Sequence, residues 1–115
     1  MKRDMDLIRT ILFEVEKSQS SEGCQIEVPG YSQQELYYNA QLAQDAGLID
    51  ARFLPGSAAF HVLRLTYAGH EFLEAARSDT LWAKAKEIVI KNTGTLTLEG
   101  VKIALPMLVK RALGG

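Results

Sequence analysis

Apolar residues recur between positions 4 and 17 at i, i+3, i+4 and i+7, with Met5, Ile8, Leu12 and Val15 in line and Leu7 and Ile11 beside them. That spacing predicts an amphipathic helix. Asp4 and Asp6 stand where a helix N-terminus favours carboxylates, and Lys17 where its C-terminus favours a cation. Phe13 lies off the stripe and is expected to meet a later element. Ser18 to Gly23 offers nothing to bury and predicts a loop. Cys24-Gln25-Ile26-Glu27-Val28 then alternates as a short strand does, and Pro29-Gly30 turns it.

A second helix is predicted over 33–46. Ser32 followed by Glu35 makes a capping box, in which each side chain satisfies the other residue's backbone N–H. Gly47 supplies the left-handed stop. Leu36, Ala40, Ala43 and Ala46 are expected to face inward, with Asn39 and Leu42 at the edges. Gln34, Tyr37, Tyr38, Gln41, Gln44 and Asp45 are expected to face out.

A hairpin over 48–66 follows, turned by Pro55-Gly56 in the type II manner. With Leu54 paired to Phe60, the alternation sets Ile49, Ala51, Phe53, His61, Leu63 and Leu65 on one face. Asp50, Arg52, Leu54, Phe60, Val62 and Arg64 then share the other, with Asp50 opposite Arg64. Three more helices are predicted. One spans about 67–77, capped by Thr66, with Ala68, Phe72, Leu73 and Ala76 inward. Another spans 79–92, with Trp82, Ala85 and Val89 in line. The last, 98–113, opens at Thr97 and carries a wide stripe of Leu98, Val101, Ala104, Leu105, Leu108, Val109 and Ala112. Pro106 is expected to bend or break it near Leu105.

Composition narrows the class. The 115 residues suit one domain, and a 47% apolar content suits a packed core. A lone Cys24 excludes an internal disulfide framework. No apolar run reaches the roughly 18 residues a membrane span needs. Met1-Lys2-Arg3-Asp4 leads into a helix and does not read as a signal peptide, so the expected address is cytoplasmic. The formal charge of −1 is unevenly spread: residues 1–31 and 32–77 carry −2 each, and residues 78–115 carry +3.

The order helix, short strand, helix, Gly-Leu-Ile, hairpin, helix resembles a winged helix-turn-helix. Leu42 to Ile49 is similar to the exit of its recognition helix, and Leu65-Thr66-Tyr67-Ala68-Gly69 to the step out of its wing. The opening Met1-Lys2-Arg3-Asp4-Met5-Asp6-Leu7-Ile8-Arg9 closely resembles an uncharacterised bacterial and prophage family, domain-of-unknown-function family 2513. Gly30-Tyr31-Ser32 and Asp79-Thr80-Leu81-Trp82 extend that resemblance over nearly the whole chain. It implies an α+β winged-helix domain, with a core over 1–77 and a helical C-terminal extension over 78–115 packed on the same domain. It implies no particular activity. Asn39 departs from the family pattern, which leads one to expect a histidine. Only about four residues separate Val28 from the second helix, so the middle helix of the general plan is expected to shrink to a turn around Tyr31.

The candidate chemistry favours binding over catalysis. His61 and His70 are the two histidines, and no metal-ligand spacing or phosphate loop accompanies them. A small Cys/His enzyme built on Cys24 is the third reading; no catalytic residue, metal or cofactor is assigned. The candidate interaction surface comprises Gln34, Tyr37, Tyr38, Gln41 and Gln44 of the second helix, with Arg52, Leu54, Phe60 and Arg64 of the wing. The helix part carries no Lys or Arg, which argues for a protein partner ahead of DNA, since phosphate contacts supply most nucleic-acid affinity. A DNA-binding regulator using helix 33–46 and wing 48–66 is the alternative. The last helix is a candidate for homodimerisation, and no membrane role is expected.

Overall fold

Each predicted helix forms, and the caps expected at Ser32, Thr66 and Thr97 are in place. The structure, a computed structural model, describes residues 2–18 and 23–114. Residues 19–22 of the expected loop lie outside the described residues. Asp4 caps helix α1 (Met5–Lys17), its side chain accepting the Leu7 N–H at 3.0 Å. Ser32 and Glu35 form the capping box of α2 (Gln33–Asp45), at 2.9 and 3.1 Å. Between Gly23 and Ser32 there is no helix: the chain passes through Pro29-Gly30, and the Tyr31 N–H meets the Val28 carbonyl at 3.4 Å. The expected strand at 24–28 contracts to one bridge, in which Cys24 and Val62 exchange backbone hydrogen bonds of 2.8 and 2.9 Å.

Strands β1 (Ile49–Leu54) and β2 (Ala59–Leu65) form the antiparallel hairpin, and their register corrects the expected one. At the base, Ile49 pairs with Leu65 and Asp50 with Arg64, as expected. An irregularity then intervenes, and beyond it Ala51 pairs with Val62, Phe53 with Phe60 and Leu54 with Ala59. One extra residue on β2, Leu63, takes up the slip as a bulge. The physical reason is the spacing of Phe60, Val62 and Leu65, all buried: the apolar period of two breaks after Val62, and a bulge restores its phase. Phe60 and Val62 therefore belong to the core, while Leu63 is exposed and His61 stands opposite Arg52.

Helix α3 (Tyr67–Ala75) follows at once, capped by Thr66, whose hydroxyl accepts from Gly69 N–H and donates to the Gly47 carbonyl. Phe72, Leu73 and Ala76 are buried there, and Ala68, expected inward, is exposed. Helices α4 (Asp79–Thr93) and α5 (Leu98–Ala112) start at Ser78 and Thr97. Helix α5 runs unbroken through Pro106. Pro106 is exposed, and its missing N–H leaves the Lys102 carbonyl without the usual helical partner. Ala112, expected in the apolar stripe, is exposed as well.

The chain divides into two compact units, Met1–Glu71 and Phe72–Gly115. In the first, α1 packs on α2 and on β2, and α2 packs on both strands. Leu7, Ile8, Ile11 and Leu12 of α1, the small Ala40 and Ala43 of α2, and Ile49 and Val62 of the hairpin are all fully buried in this unit. Every such Leu or Ile contributes about 1.5–3 kcal/mol relative to exposure. In the second, α4 and α5 form a helical hairpin in which Val89 lies against Gly100, where an added Cβ would stand 2.7 Å from the Val89 side chain. Phe72 meets Trp82 edge-on at 6.0 Å. Among the described residues the architecture is α+β, five helices with a two-stranded hairpin, and is compatible with the winged-helix plan.

Candidate interaction surface around α2 and the hairpin

Helix α2 has four sides, and three are already occupied within its unit. At 100° per residue, Leu36, Ala40 and Ala43 form the inner side, and all three are buried. Gln33, Tyr37 and Gln44 lie within about 40° of one another on the next side, and all three reach the hairpin. The Gln33 amide donates to the Ala58 carbonyl at 2.8 Å, the Tyr37 hydroxyl to the Leu54 carbonyl at 3.4 Å, and Gln44 Oε1 accepts the Ala51 N–H at 2.6 Å. Tyr37 also meets Phe53 and Phe60 edge-on, at 5.2 and 6.2 Å, while those two rings stack at 5.7 Å. The wing thus lies along the helix, held by an aromatic trio and three hydrogen bonds.

The opposite margin is held by Asn39, which is 1% exposed. Its Oδ1 accepts the Asp4 N–H at 2.8 Å, and its Nδ2 donates to the carbonyls of Glu35 at 3.0 Å and Lys2 at 3.4 Å. A residue expected at the edge of the helix is in fact a buried polar fastener for the segment before α1. Beside it, burial and the Asp4 carboxylate both raise the Tyr31 phenol above its ordinary value of 10.0, with smaller contributions from Asp6 and Glu35.

What remains open on α2 is a stripe of Gln34, Tyr38, Gln41 and Asp45, spaced i, i+4, i+7 and i+11. Gln34 and Asp45 are exposed, and Tyr38 and Gln41 are half-buried. The stripe is framed by the wing on one side and by Lys2-Arg3-Asp4 on the other. Of the nine candidate residues, Tyr37 and Gln44 face the wing, and Phe60 is buried beneath it. Gln34, Tyr38 and Gln41 share the open stripe. Arg52, Leu54 and Arg64 stand on the solvent face of the hairpin; Leu54, at 61% exposed, is its apolar point. Arg64 is held by Asp50 at 2.8 Å, a half-exposed pair contributing at most about 1 kcal/mol.

Two contributions escaped the sequence reading. Gln33 was not placed on the surface at all, yet its reach to the wing tip orients the hairpin. Asn39 carried one signal: a polar residue on the flank of a run of buried alanines. The sulfur and imidazole chemistry is sparse. Cys24 and His70 line one shallow cavity of about 200 Å³ with Val15, Glu16 and Arg64, and His61 is not among its walls. Among the described residues no cluster of His, Cys, Asp or Glu is arranged to hold a metal ion. No helix of the described residues is long and apolar enough to cross a membrane.

Comparison with known proteins adds sequence relatives. The family model described as hypothetical protein (DUF2513) matches residues 2–95. An uncharacterised protein of Haemophilus influenzae is 30% identical over 117 residues, spanning 98% of this chain and 99% of the relative. No solved structure matches the chain.

Proposed function

The chain belongs to the DUF2513 family of hypothetical proteins, and on that premise we propose a non-enzymatic binding module of winged-helix type, a bacterial or prophage protein that acts through a protein partner in the cytoplasm. The observation that carries this reading is the open stripe of α2. Gln34, Tyr38, Gln41 and Asp45 offer an aromatic ring, two amides and a carboxylate, with no cation among them. Tyrosine and glutamine give adaptable hydrogen bonding around an apolar ring, a mixture suited to a polypeptide surface. Leu54 extends it with an exposed aliphatic side chain. A partner retained by the wild-type protein and lost on Tyr38→Ala and Leu54→Asp would support the reading; retention by both variants would sink it.

A second reading, a DNA-binding regulator, is favoured by one specific observation. The Asn39 hydrogen bonds to Asp4 and Lys2 hold the Lys2-Arg3 segment along one margin of α2, while Arg52 stands on the wing at the other. Cations on both margins are what a helix between two phosphate backbones would use. Titration of mixed-sequence duplex at about 50 and 200 mM salt separates the readings. Binding that collapses with salt and weakens in Lys2→Ala and Arg52→Ala favours DNA. Silence at the lower salt favours the protein partner.

A further inference from the structure

The outer side of α5 is apolar at its centre and charged at both ends. Ile103 and Met107 are 66% and 61% exposed and stand one turn apart. Beside them, Ile88 and Val89 of α4 and Ile103, Ala104, Met107 and Leu108 of α5 wall an open groove of about 340 Å³. Glu99 occupies the first turn, and Lys110 and Arg111 the last. Glu99 touches Lys102 at 3.7 Å, a long contact between side chains of which the carboxylate is 80% exposed, so it is available for a better partner.

We propose that this face binds a second copy of the chain, α5 against α5 in antiparallel, with the two-fold axis crossing the exposed face at the level of Leu105 along the helix. The face is self-complementary, as an isologous interface requires. An axis at Leu105 sets each residue against the one equally distant on the other side. Ile103 then meets the second copy's Met107, and Glu99 meets the second copy's Arg111, each pair formed twice. A parallel arrangement would instead set like charges together at both ends. Flexible Met107 fills the neighbouring groove more readily than a branched side chain would. Two helical hairpins joined in this way make a four-helix bundle, a standard solution for helices that carry apolar residues on two sides. No aromatic residue lines the groove to anchor it at a lipid surface.

The test is the mass of the full chain by sedimentation equilibrium from about 10 μM to about 1 mM, the range in which a small interface populates. A monomer–dimer equilibrium is expected. Met107→Asp should abolish it, with an unchanged far-ultraviolet spectrum, because the side chain is exposed. Arg111→Glu replaces two attractive pairs by repulsive ones and should weaken dimerisation about 10-fold. The double variant Glu99→Arg/Arg111→Glu should recover it. A wild-type monomer throughout the range overturns the proposal. So does a dimer indifferent to Met107→Asp, or a double variant no better than the single one. Binding of the wild-type monomer to anionic vesicles, with no self-association, would assign the face to lipid and overturn it equally.

Discussion

The side chain of Asn39 takes the backbone N–H of Asp4 at 2.8 Å, across 35 residues of sequence. Through this bond the middle of α2 is tied to the residue that caps α1. Asn39→Leu preserves volume and removes the bonds, leaving the Asp4 N–H and Lys2 carbonyl without that partner; the expected cost is about 2–3 kcal/mol in urea unfolding. Asn39→His should cost less than half as much. Neutral imidazole carries one donor and one acceptor nitrogen and can serve the same two neighbours. Equal stability of Asn39→Leu and wild type would show that the fastening contributes nothing.

Ala58 is the non-glycine residue at positive φ (57°) among the described residues, and its carbonyl is gripped by Gln33. A Cβ in the left-handed region costs about 1–2 kcal/mol. Ala58→Gly should therefore stabilise the protein by about 0.5–1 kcal/mol net of glycine's greater unfolded-state freedom, raising Tm by a few degrees. Calorimetry of the variant is the check, and a lower Tm would count against strain at this turn.

Tyr31 gives the stability an alkaline edge. Burial, followed by the Asp4 carboxylate, favours the neutral phenol in the folded state, so its folded pKa is raised above the unfolded 10.0. The contribution is complete below pH about 10 and is lost as pH rises through the folded value. Tyr31→Phe should flatten the decline of unfolding free energy between pH about 9 and 11. An unchanged slope in the variant would assign the decline to other groups.

Gly69 sits so close to the backbone of Leu48 that an added Cβ would overlap its carbonyl oxygen. Gly69→Ala should cost about 2–3 kcal/mol, the range of overpacking, because the obstruction is backbone and cannot rotate away. A helical position where alanine ordinarily helps becomes one where it harms. Thermal unfolding distinguishes the two signs directly.

The sequence made the helices legible because their signals are local: the Ser32/Glu35 box, the apolar stripes and the glycine stops are all read within a few residues. The hairpin was legible at its base, where Asp50 and Arg64 pair by charge, and misleading at its tip. A symmetrical register turned Phe60 and Val62 outward, although the shift from a spacing of two to three at Leu65 already demanded a bulge. The interaction surface was legible in composition and not in address. Whether Tyr37 and Gln44 face solvent or the wing depends on how the hairpin folds back along α2, a long-range fact that helical periodicity does not contain. Asn39 was hidden for the same reason, since two of its three partners lie 35 and 37 residues away.

The reach of Gln44 to the Ala51 N–H has a consequence for solubility. Strand β1 is paired on one side by β2, and its other side is an edge, where open N–H and C=O groups template the addition of foreign strands. Gln44 occupies one of those donors, the Ala51 N–H, at 2.6 Å, so α2 also serves as the guard of a strand edge. A variant that frees this edge would endanger the protein through aggregation well before it lost much folding energy.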